Sequence, residues 1–165
     1  MNYTMKFTKL QLTTLVVLRI LIGWHCLYEG ISKLITPGWS SMGFLSESKW
    51  ILSGVSGWII AHSSVLHAVD FLNVWGLIAI GLGLILGLFS KPAAIAGTVL
   101  LLVYYLCNPP LVGLEYSVPL EGSNLVVSKT LIEAIALFVV AIFPTSKIVG
   151  LDLFVARLKN STNKI

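Results

Sequence analysis

The sequence contains a long apolar stretch without a charged residue, FLNVWGLIAIGLGLILGLF, which runs from Phe71 to Phe89. A hydrocarbon core of about 30 Å is crossed by roughly 20 apolar residues in a helix, because backbone groups in lipid must bond within their own segment. We therefore interpret residues 71–89 as a transmembrane span. The whole chain is 56% hydrophobic and only 11% charged, whereas soluble domains have about 25% charged residues. This composition excludes a soluble enzyme, a disordered chain and a disulfide-built secreted module.

Three further stretches have the length and composition of spans, at residues 10–35, 90–107 and 125–143. We predict an all-α fold, a four-helix transmembrane bundle that forms one domain over residues 1–165. Residues 50–61 are too few to cross, so we expect an interfacial or re-entrant segment in the first outer loop. Residues 148–158 mix apolar and basic side chains, which predicts a C-terminal amphipathic helix on the inner leaflet.

The placement of charge predicts the orientation of the spans. Lysines precede the first span, occupy the turn at Lys91 and recur in the C-terminal tail, whereas acidic residues concentrate in the two longer loops. By the positive-inside rule, we expect a multi-pass protein of the plasma (inner) membrane with both termini in the cytoplasm. The net charge of +4 is therefore interpreted as a topology signal, with the lipid bilayer and not nucleic acid as the partner.

Polar residues form a stripe along the first span. His25, Glu29 and Lys33 are spaced by four, so each step turns only about 40° around the helix. Arg19 and Cys26 share the same half of the helix, together with two glycines that we expect to pack against other helices, Gly23 and Gly30. Because polar groups are costly within a membrane, we predict that this half faces the interior of the bundle.

Polar residues of the other spans are expected at a similar depth. The sequence predicts a polar cavity in the outer half of the bundle that binds a ligand, a quinone or a proton. The alternative is structural charge pairing, either between Glu29 and Lys33 or between Glu133 and a basic residue. The candidate residues are Arg19, His25, Glu29, Lys33, Asn73, Tyr104, Tyr105 and Glu133.

Small residues and metal-binding residue types give weaker signals. Gly83 and Gly87 follow Ala79 at intervals of four, a spacing that favours close helix packing or a homo-oligomer contact. His62 and His67 have too few neighbouring ligands, so we predict no metal site. Cys26 and Cys107 lack a CxxC motif and are interpreted as small apolar side chains in preference to a redox pair.

The first span, Arg19-Ile-Leu-Ile-Gly23 followed by Glu29-Gly30-Ile-Ser-Lys33-Leu, resembles the first helix of the DoxX/DoxD family of small four-helix membrane proteins. Trp75-Gly76, the Gly81-to-Phe89 run, Pro92-Ala-Ala with Gly97, and Gly150-Leu-Asp152 resemble later parts of that family's pattern. The resemblance implies a plasma-membrane protein linked to redox chemistry. Members of the family include subunits of a thiosulfate:quinone oxidoreductase and proteins associated with thiol-oxidant defence. Arg19, Gly23, Gly30 and Lys33 are the site candidates that match the first-helix pattern.

Together with the polar cavity, the resemblance implies a redox-linked membrane subunit, associated with a quinone or with thiols, and partnered by an oxidoreductase in the membrane or outside the cytoplasm. The chain could itself be an oxidoreductase subunit. The alternative is a non-enzymatic scaffold that recruits a soluble partner through its loops or its tail. A small transporter ranks third, because the sequence contains no inverted repeat.

Overall fold

The structure is a computed structural model that describes residues 7–114, 116–117 and 125–153. Every regular element in these residues is helical. The six α-helices are α1 (Lys9–Ile35), α2 (Met42–Ser46), α3 (Ser53–Ala61), α4 (Ser63–Leu86), α5 (Ser90–Cys107) and α6 (Lys129–Ile142), and a 3-10 turn follows at Thr145–Lys147.

Three helices, α1, α4 and α5, are long and apolar enough to cross a membrane. The bounds of α1 and α5 agree with the spans predicted at 10–35 and 90–107. At the start of α1 the Thr8 hydroxyl accepts from the backbone of Gln11, whose side chain accepts from the backbone of Thr8. This reciprocal cap satisfies two backbone donors that the helix leaves unpaired.

The fourth predicted span, 125–143, contains a shorter helix than expected. Helix α6 has 14 residues, which extend about 21 Å, less than the hydrocarbon core of about 30 Å. Leu125 has a positive φ of 58°, and Ser128 is an extended N-cap whose hydroxyl accepts from the backbone of Leu131. The described residues therefore show three membrane-length helices and do not show the predicted four-span bundle.

Helix α4 begins earlier and ends sooner than the predicted span 71–89. It begins at Ser63, so the more polar residues before Phe71 are also helical, and it ends at Leu86. Gly87 is left-handed, with φ +64°, while the backbone N–H of Leu88 donates to Gly83 and that of Gly87 donates to Leu84. This is the Schellman arrangement that terminates many helices at glycine.

Two other predicted segments are only partly helical in the described residues. Residues 50–61 contain α3, which has nine residues and is too short to cross a membrane. In the predicted amphipathic helix, residues 148–151 form turns and bends, residues 152–153 are helical, and residues 154–158 lie outside the described part of the chain. The turns form because Leu151 and Asp152 donate backbone hydrogen bonds to Leu86 and Gly87, at the turn between α4 and α5.

Glycines permit the close approach of α1 to α4. A Cβ atom on Gly23 would lie 2.9 Å from the Cβ of Leu84, and one on Gly30 would lie 2.7 Å from a side-chain carbon of Ile78. On α4, the residue that approaches closest is Gly81, where a Cβ would lie 2.6 Å from the backbone nitrogen of Leu27. Gly83 and Gly87 instead lie at the turn into α5, so Gly81 supplies the main close contact from this helix.

Candidate functional site

His25 and Glu133 join α1 to α6. The Nδ1 atom of His25 donates to Oε1 of Glu133 at 2.7 Å, and the Glu133 side chain is 17% exposed while that of His25 is 56% exposed. His25 lies at the edge of the buried face of α1, whose buried residues include Cys26 and Gly30. The pair therefore bridges the two helices at the margin of the packed interior.

A second polar network joins α1, α4 and α5. Lys33 Nζ donates to Asn73 Oδ1 at 3.2 Å, and Asn73 Nδ2 donates to the Tyr104 hydroxyl at 2.6 Å. The Lys33 ammonium also lies 3.9 Å from a carboxylate oxygen of Glu29 and 5.5 Å from the centre of the Tyr104 ring. Because the Tyr104 oxygen accepts from Asn73, its own O–H remains available as a donor.

A cavity of about 160 Å³ lies between the two networks. We call it the polar pocket, and it is lined by His25, Cys26, Glu29, Lys33, Leu77, Leu101, Tyr104, Thr130 and Glu133. Four helices contribute, and the two leucines provide an apolar wall. An engineered cavity of about 150 Å³ holds benzene, so the pocket has the volume of one six-membered ring.

The pocket combines two carboxylates, one ammonium and one imidazole. Among the residues that line the pocket, Glu29 and Glu133 face the Lys33 ammonium and the His25 imidazole. Since Glu133 engages Nδ1 of His25, proton exchange between this imidazole and a ligand would use Nε2. The arrangement can donate hydrogen bonds to oxygen atoms, accept them at carboxylates and hold an exchangeable proton.

Three predicted site residues do not line the pocket: Asn73 bonds to two residues that do, and Arg19 and Tyr105 lie away from it. Arg19 is 2% exposed and donates to Thr145 Oγ1 at 3.1 Å and to the carbonyl of Val149 at 3.0 Å, while its buried Nε atom has no hydrogen-bond partner among the residues that the structure describes. It lies beside the turn between α4 and α5. Tyr105 donates to the carbonyl of Val126 at 2.7 Å. Arg19 therefore anchors the segment after α6, and Tyr105 anchors the residues before it.

Thr130 lines the pocket but was not among the predicted site residues. It precedes Glu133 by three positions, and residues at this spacing share a helix face, so the signal was present in the sequence. Cys26 also lines the pocket, whereas Cys107 lines a separate apolar cavity of about 280 Å³ beneath α2 and α3. Both cysteines are buried and free.

Metal coordination has no candidate within the part of the chain that the structure describes, where no group of three or more His, Cys, Asp or Glu side chains could hold an ion. Comparisons with protein-family models, with curated proteins and with solved structures found no match.

Proposed function

We propose that this chain is a DoxX-like membrane protein whose polar pocket binds the ring of a quinone, as part of a redox-linked system. The observation that carries the proposal is the volume of the pocket, about 160 Å³, together with its polar groups on opposite sides. The ring of a benzoquinone is flat and apolar and carries two carbonyl oxygens at opposite ends. The Leu77 and Leu101 wall suits the ring face, and the two polar networks suit its oxygens.

The residues of the chain have distinct parts in this proposal. Lys33 and the Tyr104 hydroxyl are the donors on one side, and Thr130 and His25 are the donors on the other. Glu133 holds the His25 imidazole through Nδ1, which orients the ring so that Nε2 faces a ligand. A bound quinone would supply the electron-accepting chemistry, and the electrons would come from an oxidoreductase partner in the membrane or outside the cytoplasm.

The proposal includes a membrane placement. Lys9, Lys91 and Lys147 belong to the end of the molecule that contains the turn between α4 and α5, and by the positive-inside rule this end faces the cytoplasm. The polar pocket then lies in the outer half of a plasma-membrane protein with both termini inside. The short α6, extended by the residues on either side of it, completes a fourth crossing, and α3 lies at the outer interface.

Binding of a water-soluble one-ring benzoquinone to the protein in lipid nanodiscs tests the proposal. Glu133→Gln and Lys33→Met each remove a charge-assisted contact and should weaken binding by at least about tenfold. Glu47→Gln is the matched control, because it removes the same charge as Glu133→Gln at a residue outside the pocket. No binding to the wild type, or wild-type affinity in both pocket variants, would overturn the proposal and favour the scaffold function.

A further inference from the structure

The contact between α1 and α6 differs from the other long helix contacts. Helices α1 and α4 are in direct backbone contact at Gly23, Gly30 and Gly81. Helices α5 and α6 are also close, because a Cβ atom on Gly97 would lie only 2.8 Å from a side-chain carbon of Leu137. Between α1 and α6, in contrast, two grooves of about 630 Å³ and about 300 Å³ follow the helices. We call this pair of grooves the α1/α6 seam.

The two grooves of the seam follow the same helix contact in succession, and the smaller one meets the polar pocket. Its larger groove contains Leu10, Thr14 and Val139, and its smaller groove continues along the same helices through Leu18 and Ala136. His25 and Glu133 line both the smaller groove and the polar pocket. From Thr14 to His25 the seam extends about 16 Å along α1. Gln11 and Thr14 are polar residues of the larger groove, and the ionisable side chains of the seam lie at the pocket end.

We infer that the α1/α6 seam holds the long apolar chain of the pocket's ligand, which enters sideways from the bilayer past the His25–Glu133 pair. This inference rests on the proposed function, and it specifies the substrate class as a ring that carries an isoprenoid or alkyl chain. A mostly apolar groove that ends at a polar pocket matches a ligand with a polar ring and an apolar chain, whereas a water-soluble ligand would leave the groove unoccupied.

The seam acts through shape more than through hydrophobic attraction. A chain that moves from lipid into the seam leaves one apolar environment for another, so the transfer itself contributes little free energy. A bulky side chain within the groove, however, must be displaced before a chain can occupy the same space. Filling the seam should therefore discriminate between ligands with and without a long chain.

Adjacent threonines on α1 provide a matched pair of variants. Thr14 lines the larger groove, whereas Thr13 is also exposed but does not line it. A second pair compares Ala136→Phe, in the smaller groove, with Ala96→Phe on the exposed surface of α5. Agreement between the two pairs would show that the result does not come from a folding defect in a single variant.

The probes are a short-chain benzoquinone and the same ring carrying a long isoprenoid chain, each measured in nanodiscs of one lipid composition. Thr14→Phe and Ala136→Phe should weaken binding of the long-chain probe by about tenfold and leave the short-chain affinity unchanged. Thr13→Phe and Ala96→Phe should change neither affinity. Each probe is compared between variants and wild type in the same lipid, so its partitioning into the bilayer affects all measured affinities equally and cancels from their ratio.

The outcomes separate the two proposals. If neither probe binds the wild type, the proposed function and the inference both fail. If both probes bind the wild type but the seam variants alter neither, or alter both equally, the inference alone fails. In that case the seam is filled by acyl chains of bilayer lipids.

Discussion

Gly87 and Gly150 are in backbone contact: a Cβ atom on Gly150 would lie 3.0 Å from the Cα of Gly87. The contact joins the turn between α4 and α5 to the segment that follows α6. Asp152 continues this junction, because its carboxylate accepts from the backbone N–H groups of Phe89 and Ser90 at the start of α5. A carboxylate at this position stabilises the helix N-terminus, so a segment distant in sequence caps α5.

Gly150→Ala should destabilise the protein by about 1–3 kcal/mol. The added methyl group would meet the Cα and carbonyl oxygen of Gly87 at 3.0 Å, and backbone atoms can move aside less easily than side chains. A methyl group at Gly57, in α3, would meet no other described residue within 4 Å, so Gly57→Ala serves as the control. The free energy of unfolding in mixed micelles is the measurement, and equal stability of the two variants would contradict the close contact.

Within α4, two alanine substitutions should have different effects. Gly81→Ala places a methyl group 2.6 Å from the Leu27 backbone nitrogen and should cost about 1–3 kcal/mol. The added methyl group of Gly76→Ala meets no atom of the described part of the chain within 4 Å, so this variant should change stability by no more than about 1 kcal/mol. Thermal unfolding of both variants under the same conditions tests the prediction. A neutral Gly81→Ala would show that α1 and α4 are less closely packed at this point.

Thr145→Val should destabilise the protein by about 1.5–3 kcal/mol, because it removes an acceptor from the buried Arg19 guanidinium. Thr145 is 1% exposed and accepts from Arg19 at 3.1 Å, while valine has nearly the same shape. Thr145→Ser retains the hydroxyl and is the control. If valine and serine gave the same free energy of unfolding, the hydrogen bond would have no measurable part in stability.

The sequence predicts the helices best where the apolar pattern and the helix-ending residues coincide. Helix α5 has the predicted bounds, and it ends at Cys107 because Asn108-Pro109-Pro110 follows it directly. Helix α4 begins before its predicted start because hydropathy detects only the apolar part of a helix. Its first turns are more polar, and they are helical because Leu66 within them packs in the protein interior. Helix α6 is shorter because Leu125 and Ser128 leave helical geometry before it, which average hydropathy does not detect.

The candidate site shows a similar division. The spacing of His25, Glu29 and Lys33 predicts their common side, and all three line the polar pocket. Arg19 shares their side of the helix but lies six residues from His25, about 9 Å along the axis, and it bonds to residues after α6 instead. Tyr105 follows Tyr104 directly and so turns about 100° away from the pocket. Helix geometry thus assigns the side of a residue, while its partners depend on how distant segments pack.

The Glu47 carboxylate should show a measurable pH response. Hydrogen bonds from the Ser117 hydroxyl at 2.6 Å and backbone N–H at 3.2 Å hold the pKa of Glu47 below its usual range. Because the pKa is lowered in the folded protein, the contact stabilises the fold above the ordinary glutamate pKa. That contribution is lost as the pH falls through the lowered value.

Ser117→Ala removes the hydroxyl donor, so the pKa of Glu47 should rise toward its ordinary value and the contact should open at a higher pH. Carboxyl ¹³C chemical shifts of labelled glutamate, followed from neutral to acidic pH in nanodiscs, measure the change. Ser46→Ala is the control, because the Ser46 hydroxyl donates to the carbonyl of Gly43 and not to Glu47. An unchanged titration midpoint in Ser117→Ala would exclude the hydroxyl as the cause of the shift, since the backbone donor remains in that variant.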